Sequence, residues 1–199
     1  AAAIATVAAL AVVATAVFGI DIWQAFLAST AFTRAALLEA GGPGYEKIQS
    51  IFAVIRLWGG SVPLAYGIQG AASLVVLVLA IRLWRGNARY PLKAAGLALA
   101  TLLASPFSLD YDLMVLAPAI AYLAMNGLRH GFAPWEATAL AGLWLVPLIA
   151  RAVAGAILVP LGPIAMIASF ALLVRRTEGV AGGTTRPRIE SGDATRQPI

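Results

Sequence analysis

Ala104-Ser105-Pro106-Phe107-Ser108-Leu109-Asp110-Tyr111-Asp112 is a short polar break between two apolar runs, residues 92–103 before it and 113–125 after it. An ionised Asp near the middle of a bilayer costs about 2.5–3.5 kcal/mol on insertion scales. The carboxylate pair therefore belongs at a membrane surface or in a watered cavity, and the flanking runs read as helices leading out to it and back. The composition points the same way. The 199 residues are 61% hydrophobic and only 12% charged, with a mean hydropathy of +0.87, whereas soluble domains carry about 25% charged residues. Several windows approach the ~20 apolar residues that a spanning helix requires. The expected fold is an all-α, polytopic integral membrane helix bundle of about six transmembrane helices, with amphipathic helices at one surface.

Outward from this break, residues 1–20 read as a span ended by Asp21 and Trp23, and residues 23–40 as an amphipathic helix lying along the membrane. Gly41-Gly42-Pro43-Gly44 breaks that helix. In residues 45–58, Ile48, Ile51, Phe52, Ile55 and Trp58 follow helical spacing, and Gly59-Gly60 ends the stretch. Residues 62–83 cross next, then 92–107 and 109–125 on either side of the Asp motif. Residues 136–153, with Pro147 as a kink, and 155–174 complete the bundle. Residues 1–176 are read as one membrane domain containing an interfacial subdomain over 21–60. Residues 177–199, rich in Gly, Thr, Arg and Pro, read as a disordered tail. The sequence opens Ala-Ala-Ala-Ile inside an apolar run, without Met or a basic leader region. It is expected to continue a longer N-terminal part.

Basic residues orient the bundle. Three segments, 82–93, 126–135 and 175 onward, carry Arg, Lys or His beside apolar runs, and all fall on one side when the spans are drawn as above. The tendency of Lys and Arg to stay inside makes that side cytoplasmic. It puts Asp110, Asp112 and residues 21–60 on the outer face, and the C-terminus in the cytoplasm. The same distribution explains the net charge of +5 without nucleic acid as a partner. Zero cysteines exclude disulfides, and the single His130 excludes a multi-histidine zinc site within the chain. There is no glycine-rich phosphate loop, nucleophile elbow or zinc motif, and no cofactor is expected.

The carboxylate pair has two readings. Ser108 or Asp110 can cap the helix that follows, or the carboxylates can serve a site as base, metal ligand or part of a cation path. At i and i+2 they do not share a helix face, which argues against a proton-sharing dyad. The cations on the same side are Arg34, Lys47, Arg56 and Arg151. Such groups suit a lipid-linked phosphate, Arg as a fork and Lys as a point charge, or simply snorkel to water. Arg151 lies close to an apolar span and needs a partner.

The run Thr101-Leu102-Leu103-Ala104-Ser105-Pro106-Phe107, then Asp110-Tyr111-Asp112-Leu113 and Leu116-Ala117-Pro118-Ala119-Ile120, resembles the C-terminal half of glycosyltransferase family 87, bacterial membrane proteins of the GT-C superfamily. Lys47-Ile48-Gln49-Ser50-Ile51-Phe52, Arg56 and Gly59-Gly60-Ser61 are similar to the family's periplasmic segment, and the likeness runs from about Phe18 to Arg176. The resemblance implies a transferase of the bacterial inner (plasma) membrane with its site facing the periplasm. It would transfer a hexose, commonly mannose, from a polyprenyl-phosphate donor to a glycan or glycolipid acceptor, among membrane lipids. It implies Asp110 and Asp112 as site-shaping residues, with the principal base in an earlier outer loop, so that this part alone is inactive. Lys47, Gln49, Arg56 and Tyr111 are the expected substrate contacts. A transporter or lipid flippase, or a non-catalytic membrane subunit, is the alternative from the residues alone.

Overall fold

The computed structural model describes residues 2–182, apart from the side chains of residue 3 and residues 178–182. All the regular structure is helical: α1 (Ala2–Phe18), α2 (Asp21–Thr33), α3 (Ile51–Leu57), α4 (Val62–Arg85), α5 (Tyr90–Ala104), α6 (Leu116–His130), α7 (Glu136–Ile157) and α8 (Leu161–Gly182). Local chemistry sets the boundaries. Ser50 Oγ accepts the Ala53 N–H at 3.2 Å to start α3, and Ser61 Oγ accepts the Leu64 N–H at 3.4 Å to start α4. Pro63 and Pro91 sit in the first turns of α4 and α5, where no N–H is missed. Arg82 and Arg85 face the negative end of α4.

Helix α5 lies at the centre, packed against α4, α6 and α8. It buries Ala95, Leu99, Leu102 and Leu103 against Leu83 of α4, Leu116 and Leu123 of α6, and Phe170 and Leu173 of α8. The outward faces are apolar as well; Leu74, Val75 and Leu77 of α4 are more than half exposed. An apolar inside and an apolar outside mark a bundle surrounded by lipid. A second, smaller core of Leu38, Ile48, Phe52, Ala53 and Ala65 closes one end.

The architecture is the expected all-α membrane bundle, but its crossings are uneven. Helices α4, the turn-plus-helix Asp110–His130, and α7 meet the length and apolarity of a full span among the described residues. Helix α5 is apolar but has 15 residues, about 22 Å at 1.5 Å per residue, short of the ~30 Å hydrocarbon layer. Helices α1 and α2 qualify only as a pair bent by 107°. Gly19 makes that corner at φ +81°, and the Trp23 Nε1–H donates to Thr15 Oγ1 at 2.8 Å across it. Among the described residues, three helices meet the length and composition of a full crossing, or four with the bent pair. Helix α7 runs through Gly155 to Ile157, and α8 starts only after Pro160. Helix α8 also continues past Arg176 to Gly182; the remainder of the tail expected to be disordered lies outside the described residues.

At the end away from the small core, Arg176 pairs with Glu136, and its other terminal nitrogen donates to Gly131 O at 2.7 Å. The same Glu136 oxygen accepts the Ala133 N–H at 2.7 Å. These side chains are only 12% and 8% exposed. Removing one member of such a pair strands a buried charge at a cost of about 3–5 kcal/mol. Glu136→Ala is therefore expected to lower the thermal unfolding midpoint of the detergent-solubilised protein markedly; an unchanged midpoint would contradict the pairing.

Candidate functional site at one end of the bundle

The small core joins two segments that are distant in sequence. After α2 the chain makes a wide π-helical turn (Arg34–Glu39), passes the glycine-rich break, and forms a single 3₁₀ turn, Tyr45–Lys47. Ile48 then pairs antiparallel with Leu109, and the Gln49 N–H donates to Ser108 O at 2.6 Å. Lys47, the last residue of its 3₁₀ turn, and Asp110, the first of the next, adjoin this single bridge on either segment. The residues 105–109 loop is itself tied down: the Ser108 hydroxyl, buried, donates to Leu102 O at 3.0 Å, and Ser105 Oγ accepts the Phe107 N–H at 3.2 Å.

The two Asp side chains part company here. Asp112 turns back, and its carboxylate accepts the Leu109 N–H at 2.8 Å, capping the 3₁₀ turn Asp110–Val115. Asp112 thus makes the cap that Ser108 or Asp110 was expected to make. Asp110 points the other way: Oδ2 lies 3.9 Å from an Arg151 terminal nitrogen, while Oδ1 accepts the Tyr111 N–H at 3.0 Å. Arg151 is the partner-seeking cation of α7. Its side chain is 57% exposed and that of Asp110 34%, so this long pair contributes at most about 1 kcal/mol and is readily exchanged for another anion. Tyr111 is largely exposed. Lys47 is half-buried and, among the described residues, forms no ion pair.

Gln49 and Arg56 occupy different settings. Gln49 is 3% exposed; its amide donates to Glu46 O at 3.1 Å, and its Oε1 lies so close to Gly162 that a Cβ there would collide with it. Arg56 is held at every nitrogen: Nε to the Tyr45 hydroxyl at 2.9 Å, and the terminal nitrogens to Gly60 O at 2.7 Å and Glu39 O at 3.3 Å. Its guanidinium also lies 5.2 Å from the Tyr45 ring centre. Glu39 in turn accepts from the Tyr66 hydroxyl and pairs with Arg34, each at 3.3 Å. These groups brace the end of the bundle around Lys47, Asp110 and Arg151.

Sequence reasoning passed over two residues. Glu46 sits on the 3₁₀ turn that packs on α7 near Gly155. Gln69, 3% exposed, ties three elements together. Its Oε1 accepts the Phe52 N–H at 2.9 Å, and its amide donates to Ser73 Oγ at 3.0 Å and Leu103 O at 3.1 Å. The available signal was a lone amide inside an apolar span, which must find partners. From Asp110 an apolar groove of about 360 Å³ runs down the lipid-facing side between α6 and α7, past Met114, Ala117, Trp144 and Pro147.

Fold and site define a helical membrane protein with an ionic cluster at the head of a lipid-facing groove. The sequence model of glycosyltransferase family 87 matches residues 1–106, just over half of the chain. The chain belongs to that family, and its apolar helices make it a membrane glycosyltransferase. The matched part holds Lys47, Gln49 and Arg56 and stops at Pro106, before Asp110, Tyr111 and Asp112. No curated protein and no solved structure matches the chain.

Gln69→Leu is expected to destabilise the protein by about 1–3 kcal/mol, because it leaves the buried Phe52 N–H without an acceptor. Hydrogen exchange at Phe52 should accelerate while exchange in α7 stays unchanged; equal protection in both proteins would contradict this role.

Proposed function

We propose that the protein transfers a hexose, mannose in the first instance, from a polyprenyl-phosphate donor to a glycan or glycolipid acceptor. The placement of Arg151 and Asp110 at the head of the α6–α7 groove carries this reading. A long isoprenoid chain fits an apolar, lipid-facing groove, and its phosphate would then lie at the groove's Asp110 end, beside Arg151. Arg151 offers a two-pronged donor to a phosphate, and Lys47 adds a point charge from the facing segment. Asp110 holds Arg151 in place until the donor's phosphate takes over the guanidinium. Asp112 keeps the turn in shape.

In the proposed reaction a carboxylate base takes the proton from an acceptor hydroxyl, whose oxygen attacks the anomeric carbon of the donor sugar. The bond from that carbon to the phosphate oxygen breaks, and polyprenyl phosphate leaves with the electron pair. Arg151 and Lys47 stabilise the charge that builds on the departing oxygen. Inversion at the anomeric carbon follows from the single displacement. Asp110 and Asp112 shape the site, and the principal base is assigned to an earlier outer loop of the full protein. Tyr111, exposed beside Asp110, is the candidate sugar contact. Gln49 and Arg56 act by holding the Lys47 segment in position.

The membrane domain is taken as residues 1–176, with residues 21–60 forming its outer subdomain. In this orientation the site faces the periplasm from a bacterial inner membrane, and the C-terminus is cytoplasmic. The segments 82–93 and 126–135 and Arg175–Arg176 support it, because all three lie at the opposite end of the helices from Asp110.

The experiment is transfer of labelled hexose from its polyprenyl phosphate in membranes containing the full gene product. Asp110→Asn together with Asp112→Asn is expected to abolish transfer while membrane expression persists. Arg151→Ala should cost about tenfold or more in kcat/KM for the donor, since a charge-assisted hydrogen bond contributes about 1.5–3 kcal/mol. Unchanged transfer in both variants would remove these residues from the site.

A further inference from the structure

The opposite end of the bundle carries a second polar feature. The turn from α4 to α5 brings together Arg82, Arg85, Arg89 and Lys93, with no acidic residue between positions 82 and 93. Lys93 is committed, its Nζ donating to Trp84 O at 3.0 Å. Among the described residues Arg82, Arg85 and Arg89 form no ion pair. Beside them a cleft of about 260 Å³ opens between the end of α4, the turn and α8. Leu79, Leu83 and Val174 line it with hydrocarbon, and Arg82, Asn87 and Thr177 supply polar groups. The α5 N-terminus, which has no side-chain cap, ends in the same turn. Exposed Trp84 and Tyr90 flank it, the side chains that favour the headgroup layer.

We propose that this cleft binds the headgroup of an anionic phospholipid. Basic residues near a membrane surface attract acidic lipid diffusely, at about 1 kcal/mol each. The cleft adds what a diffuse patch lacks. Arg82 on its wall can grip a phosphodiester through two parallel N–H groups. The Asn87 amide can bond to a headgroup hydroxyl or an ester carbonyl. Leu79, Leu83 and Val174 offer an apolar surface to the first methylenes of the acyl chains. The occupant is a lipid rather than a free anion because most of the lining is apolar. The site is separated from the Asp110 cluster by the length of α4, 24 residues, about 36 Å.

The test is retention of lipid by the purified full chain in detergent, read by native mass spectrometry with phosphatidylglycerol and phosphatidylcholine in competition. The unmutated protein is expected to retain phosphatidylglycerol in preference. Arg82→Gln should lower that retention about tenfold, the loss of one charged hydrogen-bonding partner. Arg129→Gln, which changes a basic residue outside the cleft, should leave it intact. Equal retention of the two lipids by the unmutated protein would overturn the proposal without any variant. So would equal losses in the Arg82 and Arg129 variants, which would mean diffuse charge alone. Displacement of the lipid by inorganic phosphate would also overturn it, by revealing a free-anion site.

Discussion

The antiparallel pairing of Ile48 with Leu109, closed by the 2.6 Å bond from the Gln49 N–H to Ser108 O, is the joint on which the candidate site depends. Backbone polar groups near hydrocarbon must be satisfied within the protein. Neither the 45–50 segment nor the 105–109 loop is helical enough to satisfy its own. Each supplies what the other lacks, and the pairing brings the segment that carries Lys47 beside the one that carries Asp110. Gln69 extends the same economy to α3, whose first N–H groups would otherwise be bare in the small core. The joint lies where irregular backbone is tolerable, at the end of the bundle and enclosed by protein.

Charge is distributed by exposure. The buried Glu136–Arg176 pair is surrounded by further hydrogen bonds and fastens α7 to α8. The Asp110–Arg151 pair is long and half in solvent, which makes it a poor fastener and a good candidate for exchange. Arg56 shows the converse of Arg151. Both are arginines at the same end of the bundle, but three backbone or hydroxyl acceptors have already taken up Arg56.

Much of the fold was legible because its punctuation is local. Gly19, the Gly41–Gly44 break, Gly59-Gly60 and Ser105-Pro106 end helices through backbone chemistry that needs no tertiary information. The boundary between α7 and α8 was misplaced because Gly155 looked like a stop. A glycine costs a helix only about 1 kcal/mol. The actual stop is Leu158 in the left-handed region ahead of Pro160, with its carbonyl held by the Trp58 indole at 2.9 Å. The chemistry of the site was legible by residue type, in the Asp pair and Arg151. The division of labour between Asp110 and Asp112, the capture of Arg56 and the burial of Gln49 depend on partners tens of residues away. Local pattern carries no such information.

The most direct test of this arrangement is a cross-link. The chain has no cysteine, so Ile48→Cys with Leu109→Cys introduces one pair without background. Directly opposed residues of an antiparallel pair lie about 4.5–5.5 Å apart at Cα, within the range that a disulfide accepts. Mild oxidation in membranes is expected to link the pair nearly completely, while Ile48→Cys with Met114→Cys stays unlinked. Failure of the 48–109 pair to link in folded, membrane-inserted protein would mean that the two segments do not meet, and the cluster of Lys47, Asp110 and Arg151 would fall with them.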